Sequence, residues 1–439
     1  MPLDGLFNLI FKDRKMRTTQ KLLAIALMAL WLPAAAMAAD NDALGKTAVD
    51  LDAKIKKSYL TFSSDDGNFR YKIDGRIMLD TGFVKNDKDA DNDLNPNTEF
   101  RRVRLGIKAK MFKNWKGEFD LDFAENEVDI KDMWMAYEGF EGFSIKIGNH
   151  KPSFSLNEVT TSRWATFMET SAVTDTFAPG RHIGISGTTY GNFGIDYFAS
   201  ASLFGDEANE NNTDEHSTYG FSTRLVGVPV LSDNGDMVLS LGVNYMRQTP
   251  DSEDVDEIKF KAGPEAHYLD YDYQRVDLKK VDYFDVYGVE LAGKYKRLSW
   301  QAEYMKNKVS AVKNGAEPEF DGYYVYVSYF LTDDQRPWDP ESAEFAGIVP
   351  NSKNGAWEVA LRYSTLDLND FDELGSSLKD NGGESDAWTL ALNWYINNNF
   401  LIKANYIHTE YDDAATGKKG ELKGGDTIDA VGMRFQFLF

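Results

Sequence analysis

Cysteine is absent from all 439 residues, which excludes a disulfide scaffold and cysteine-ligated zinc or iron–sulfur centres. Histidine is scarce: His150, His182, His216, His267 and His408 are the five present. They form no HExxH pairing, and no GxSxG nucleophile turn occurs, so no metal, cofactor or catalytic residue is expected. Long apolar runs are missing downstream of Ala38, and the mean hydropathy is −0.45. That excludes a polytopic helical membrane protein. Positive charge is in deficit, with 48 Lys and Arg against 70 Asp and Glu, a net −22 with His neutral. A surface this acidic repels phosphate backbones, and no nucleic-acid partner is expected. Aromatics are plentiful instead: 28 Phe, 22 Tyr and 9 Trp.

The one long apolar run is Leu22–Leu32 (LLAIALMALWL), preceded by Arg17 and Lys21 and followed by Pro33 and Ala34-Ala35-Ala36-Met37-Ala38. A basic start, a short apolar stretch and an A-x-A site describe an export signal. The run is too short to cross a hydrocarbon core of ~30 Å. Residues 1–38 are read as a signal peptide cut after Ala38, with Met16 as an alternative start. Residues 39–66 follow as a short periplasmic N-terminal segment, with weak helical periodicity over Ala43–Tyr59. Residues 67–439 form the remaining domain.

That domain alternates with period two, as strands do when successive side chains face opposite sides. From Arg70 to Phe83, Tyr71, Ile73, Ile77, Leu79 and Phe83 stand against Arg70, Lys72, Asp74, Arg76 and Asp80. Phe100–Phe112 sets Val103, Leu105 and Ile107 against Arg102, Arg104, Lys108 and Lys110. Trp115–Phe123 sets Phe119, Leu121 and Phe123 against Glu118, Asp120 and Asp122. The pattern returns near 128–137, 143–150, 181–190, 193–204, 217–230, 237–246, 283–296, 298–310, 319–332, 356–367, 386–396, 400–411 and 426–439. Sixteen strands are expected in all. In the last, Val431, Met433, Phe435, Phe437 and Phe439 share one parity. An alternating strand closed by a terminal Phe resembles the signal by which outer-membrane proteins are recognised by the barrel-assembly machinery.

In hydrocarbon every backbone N–H and C=O must be paired internally, and a closed antiparallel sheet does this without edges. Its outer face is apolar, its lumen wet, and aromatics gather in two interfacial girdles. The pairs Tyr323-Tyr324, Tyr329-Phe330 and Trp394-Tyr395 are placed there. A soluble sandwich also alternates, but its open face need not be charged at mid-strand. The expected fold is therefore all-β: a transmembrane antiparallel β-barrel of about sixteen strands in a bacterial outer membrane. The acidic stretches Asn86–Asn95, Gly205–His216 and Asp251–Glu257 lie between strands as external loops, open to divalent-cation bridging with lipopolysaccharide.

Gly148–Gly187 reads GNHKPSFSLNEVTTSRWATFMETSAVTDTFAPGRHIGISG, too long for a turn. It resembles the constriction-loop region of the phosphate-selective porin O and P family. The resemblance extends to DGR at Asp74–Arg76, FRRVRLGIK at Phe100–Lys108 and GYYVYVSYFLTDDQR at Gly322–Arg336. GAWEVALRYSTLDLND at Gly355–Asp370, WTLALNWYINNN at Trp388–Asn399 and GMRFQFLF at Gly432–Phe439 complete it, in colinear order over nearly all of 67–439. It implies an inward-folded constriction loop, a homotrimer, and passive solute flux through each subunit.

The family's namesake members conduct anions along a ladder of arginines. On that resemblance Arg76 matches the first-strand arginine, and Arg101-Arg102 the pair opening the second strand. Arg104, Lys108 and Lys110 extend the cationic stripe by parity. Within the constriction loop, Glu158 and Thr170 stand where phosphate-selective members place a lysine and an arginine. Lys151, Arg163 and Arg181 remain nearby, and Lys151 and Arg163 are candidates for pinning the loop to an acidic wall. Glu118, Asp120 and Asp122 form that wall, opposing the basic stripe. The leading expectation is an outer-membrane porin for small charged solutes that prefers anions such as phosphate or polyphosphate. The alternative is a general or cation-preferring diffusion porin without a phosphate site.

Overall fold

In the computed structural model the described residues are 51–56, 59–88, 97–208, 218–250, 257–269, 271–310, 315–417 and 422–439. The leader, the alternative start and most of the three acidic loops lie outside them.

Sixteen antiparallel strands close into one barrel. They are β1 (Phe69–Asn86), β2 (Asn97–Met111), β3 (Trp115–Asp122), β4 (Asp129–Phe140), β5 (Phe143–His150), β6 (His182–Asn192), β7 (Asp196–Phe204) and β8 (Gly220–Leu231). The other half comprises β9 (Met237–Gln248), β10 (Tyr283–Tyr295), β11 (Leu298–Ser310), β12 (Glu319–Phe330), β13 (Ala356–Asp367), β14 (Glu384–Tyr395), β15 (Phe400–Tyr411) and β16 (Thr427–Leu438). Every strand pairs with its chain neighbour. The ring closes where β16 pairs with β1, from Ile428↔Asn86 to Leu438↔Arg76. Each predicted strand is present, with ends displaced by a few residues. No helix among the described residues is long and apolar enough to cross a membrane.

Alternation dictates which face meets which solvent. Outward side chains are apolar and open, such as Leu105 at 47%, Ile147 at 54% and Leu241 at 52% exposed. Such a surface suits lipid, where burial of apolar area costs nothing further. The aromatic pairs split accordingly. Tyr323 and Tyr329 are exposed, whereas Tyr324, Phe330 and Tyr395 are buried inside the barrel. Period two allows only one member of each adjacent pair to join a girdle.

At the closing seam the two chain ends fit together. Phe439 exchanges backbone hydrogen bonds with Gly75 at 2.7 and 3.2 Å, and its ring lies where a Cβ on Gly75 would be, 2.4 Å from the nearest carbon. Phe439 stacks on Phe437, and Phe437 on Phe400, at 5.5 and 4.7 Å between centroids. Any side chain at Gly75 would therefore displace the terminal ring.

The helical reading of the N-terminal segment does not hold where it can be described. Leu51–Lys56 and Tyr59–Ser64 pair as an antiparallel hairpin, whose second arm continues onto the start of β1 through Thr61↔Lys72. The open edge of β1 offers unpaired N–H and C=O groups, and pairing outweighs a weak local helix preference.

Three long connections fold inward. Residues 151–181 carry the short helices α1 (Leu156–Val159) and α2 (Ala172–Phe177). In the connection after β9, described residues 257–269 and 271–282 carry a hairpin of Ile258–Ala262 with Gln274–Leu278. Residues 331–355 enter from the end where the other turns are short. The apolar core accordingly lies inside the barrel, where Phe154, Val173 and Phe177 meet Phe260, Val276 and Leu278 of the hairpin and Val286, Val309 and Phe320 of the wall. Tyr268 of the second loop seats over Gly82 and Gly432, which face each other across the seam.

Candidate solute pathway

These inserts pack their apolar core against β9–β14. Inward side chains on β8–β16 are almost all buried, among them Arg224, Glu290, Asn307, Glu358, Thr389 and Lys403. On β1–β4 part of the inward charge remains accessible: Lys72, Lys108, Lys116, Lys131 and Glu138 each keep a quarter or more of their side-chain surface, whereas Asp74, Arg76, Asp80, Arg104, Asp120 and Asp122 are buried.

The predicted residues converge there, but as ion pairs. Arg76 faces Asp120 at 3.5 Å and donates to Ser162 Oγ at 2.6 Å. Arg104 reaches Asp122 at 2.7 Å and Asp120 at 3.9 Å. Lys108 reaches Glu118 at 3.0 Å and Asp74 at 3.4 Å. Lys110 is exposed close to the β2–β3 turn. Within the loop, Lys151 pairs with Glu158 at 2.7 Å, Arg163 with Asp74, and Arg181 with Asp132 at 2.7 Å.

Two expectations are corrected. Glu118, Asp120 and Asp122 do not oppose the basic stripe; they stand beside it, because Arg104↔Asp122 and Lys108↔Glu118 are direct partners on adjacent strands. Opposite charges in that register attract, so the stripe is largely neutralised in place. Nor does the loop pin to those acids: Arg163 takes Asp74 on β1, and Lys151 stays within the loop on Glu158. Glu118, Asp120 and Asp132 place one carboxylate oxygen each within 4.8 Å of one another, a spacing suited to a cation. Each already faces a base, namely Lys108, Arg76 and Arg181.

A β-bulge creates the site's main charge imbalance. Met78 pairs with Arg102 and Leu79 with Phe100, leaving Arg101 as the extra residue. Two adjacent side chains can then turn to the same face, and both arginines meet Glu169, at 3.1 and 3.4 Å. Arg434 joins them on Glu169 and also binds Asp80 at 2.6 Å. Three guanidiniums thus share two carboxylates. Burial opposes the charge on Glu169, but Arg101, Arg102 and Arg434 outweigh it and hold this loop carboxyl well below the ordinary range.

Sequence reasoning missed three kinds of residue. Lys146 on β5 lies over the Trp134 ring at 4.5 Å and has no carboxylate at ion-pair distance among the described residues; its parity with His150 marked it as inward. Asp175 on α2 is exposed and likewise carries no ion pair among the described residues. Finally, Arg336, Arg362, Lys403 and Arg434 hold the loop from behind, a role no local pattern announces.

Residues 71–439 match the family described as phosphate-selective porin O and P. Among curated proteins the chain is similar to Porin O of Pseudomonas aeruginosa, 26% identical over 421 residues that span 87% of this chain and 91% of that protein. It is 29% identical to an uncharacterized protein of Caulobacter vibrioides over 395 residues, covering 86% and 75% of the two chains. Among solved structures, a loop L8 deletion mutant of OmpT, an outer membrane protein of Vibrio cholerae, aligns with a TM-score of 0.51 at 12% identity, over 84% of this chain and all of that one (100%). The trimer form of OmpT gives 0.50 at 11% identity, over 84% and 99%.

Proposed function

Since the chain belongs to the phosphate-selective porin O and P family, and is thereby an outer-membrane porin, we propose that it passes small charged solutes passively with a preference for anions, phosphate and polyphosphate among them. The observation that carries the anion preference is the surplus of guanidinium over carboxylate around Glu169, with Lys146 as a further unneutralised base. Fields of fixed charges in a narrow pore set ion preference. In this reading the solute passes the accessible bases Lys72, Lys108 and Lys116 of β1–β3, with Arg76, Arg102 and Arg104 acting through their field from behind. Reconstituted in planar bilayers, the protein should give stepwise currents whose zero-current potential in a KCl gradient has the sign of anion preference. Millimolar phosphate should reduce the chloride current. A zero or opposite potential with no phosphate effect returns the reading to a general or cation-preferring pore, which the paired stripe and the free Asp175 favour.

In the same reading the protein is a homotrimer joined through β2–β7. Outward Tyr or Trp residues occur on every strand from β9 to β15: Tyr287, Tyr304, Tyr323, Trp388 and Tyr406 are exposed, and Tyr245 and Tyr363 are half-buried. Polar-tipped aromatics of this kind anchor a lipid interface. On β2, β6 and β7 the exposed outward side chains include Phe100, Leu105, Ile183, Ile185 and Leu203 instead, with Trp115 of β3 and Tyr190 of β6 only near strand ends, which suits contact with protein. The double substitution Leu105→Arg with Ile147→Arg should yield folded monomers by chemical cross-linking; intact trimers would reject this face. Residues 1–38 serve export, 39–66 remain periplasmic, Phe439 engages the assembly machinery, and the acidic loops meet lipopolysaccharide through divalent cations.

A further inference from the structure

One row of inward side chains crosses the wall from β13 to β1. Glu358↔Asn393, Asn393↔Lys403, Lys403↔Arg434 and Arg434↔Asp80 are successive cross-strand partners from β13 to β1. The row faces residues 163–169 of the constriction loop, and seven consecutive carbonyls there each accept a hydrogen bond from the wall side. Gln436 donates to Arg163 at 3.0 Å, Arg336 to Trp164 at 2.9 Å, and Asn393 to Thr166 at 2.9 Å. Lys403 donates to both Ala165 and Phe167, Arg434 to Met168, and Arg362 to Glu169 at 3.1 Å.

Lys403 is the centre of this row. Its side chain is fully buried, and among the described residues it has no carboxylate at ion-pair distance. A buried ammonium must be satisfied, and here loop carbonyls alone do it. Loop and lysine therefore need each other. The other ends of the loop are fixed separately: Glu303 accepts from the N–H groups of Leu156 and Asn157 at 3.0 and 2.7 Å, and α2 sits in the apolar core.

We infer that this row is a latch that keeps the constriction loop flat against β13–β16 and so holds the solute path open, with Lys403 as its central positioning residue. The inference rests on the porin reading. The same segment is also held from β1 and β2, where Arg163 pairs with Asp74, Arg76 donates to Ser162, and Arg101 and Arg102 meet Glu169. With its backbone released from the row, the segment keeps those side-chain contacts, which draw it towards β1 and β2 and across the accessible charges of that wall.

The test compares wild-type protein with Lys403→Met in planar bilayers, after heat-modifiable gel mobility has confirmed that both are folded. Wild type gives steady steps. The variant should show frequent closures, with mean open time shortened about tenfold or more, the scale for losing a charge-assisted hydrogen bond. Lys403→Arg, which keeps the donors, should restore long openings. Unchanged open times in Lys403→Met, or a steadily larger conductance without closures, would overturn the latch. Should Lys403→Met fail to assemble, Asn393→Leu decides: it removes one neutral donor and leaves Glu358 paired with Arg336. Shortened openings support the latch and unchanged ones reject it. Wild-type protein that is folded yet gives no steps defeats the porin reading itself, and the latch with it.

Discussion

Exchanging Lys108 for glutamate is expected to reverse the zero-current potential in a KCl gradient, from anion-preferring to cation-preferring. Lys108 is the base most open to water among the paired ones on β2–β4, with 46% of its side chain accessible, and it holds Glu118 and Asp74 together. The exchange removes one positive charge, adds one negative charge, and frees Glu118. Asp74 keeps Arg163, so the loop stays in place. At ~8 Å in water each unit charge changes the energy of a passing monovalent ion by about 0.5 kcal/mol. Two units act with opposite sign on cation and anion, for a difference of about 2 kcal/mol. That is more than tenfold in permeability ratio before screening. Screening falls off over ~10 Å at 0.1 M salt, so the reversal should be largest at low ionic strength. Lys108→Gln should move the potential by roughly half as much, in line with one unit instead of two. A potential unchanged by both substitutions would mean that ions do not pass along β2.

The sixteen strands were legible because lipid outside and water or polar inserts inside impose one rule on the whole wall. Arg70–Phe83 and Trp115–Phe123 show that rule at its plainest. It fails only where geometry departs from period two: the bulge at Arg101 brings two neighbours to one face, which no parity argument could separate. The loop hairpin Ile258–Ala262 with Gln274–Leu278 did carry a local signal, since Ile258, Phe260 and Ala262 alternate with Lys259 and Lys261. The acid around it masked that signal. The site was legible in its members but not in its pairing. Arg104 and Lys108 could be placed in the lumen by parity, whereas their neutralisation depends on the β2–β3 register. The inward fold of 331–355 and its Arg336, which reaches both Glu358 and the Trp164 carbonyl, depend on a contact between residues 172 positions apart. No periodicity encodes it.

Arg434→Met should destabilise the barrel more than any surface change, because it breaks a buried pair at the seam where the sheet closes. Arg434 and Asp80 are direct partners across β16 and β1, joined by two parallel bonds of 2.7 and 2.6 Å, and both are fully buried. Removing one partner of such a pair costs about 3–5 kcal/mol, since the other charge stays buried and unpaired. Glu169 keeps Arg101 and Arg102, so the stranded group is Asp80. The conversion temperature of the folded form on heat-modifiable gels should drop sharply. Adding Asp80→Asn should recover part of the loss, by removing the stranded charge. Arg434→Lys should fall between, because an ammonium cannot reproduce the fork. The partial recovery in the double variant is the decisive term: it separates a charge effect from simple loss of packing. If Asp80→Asn does not help, the damage comes from the released Met168 carbonyl and not from the seam pair.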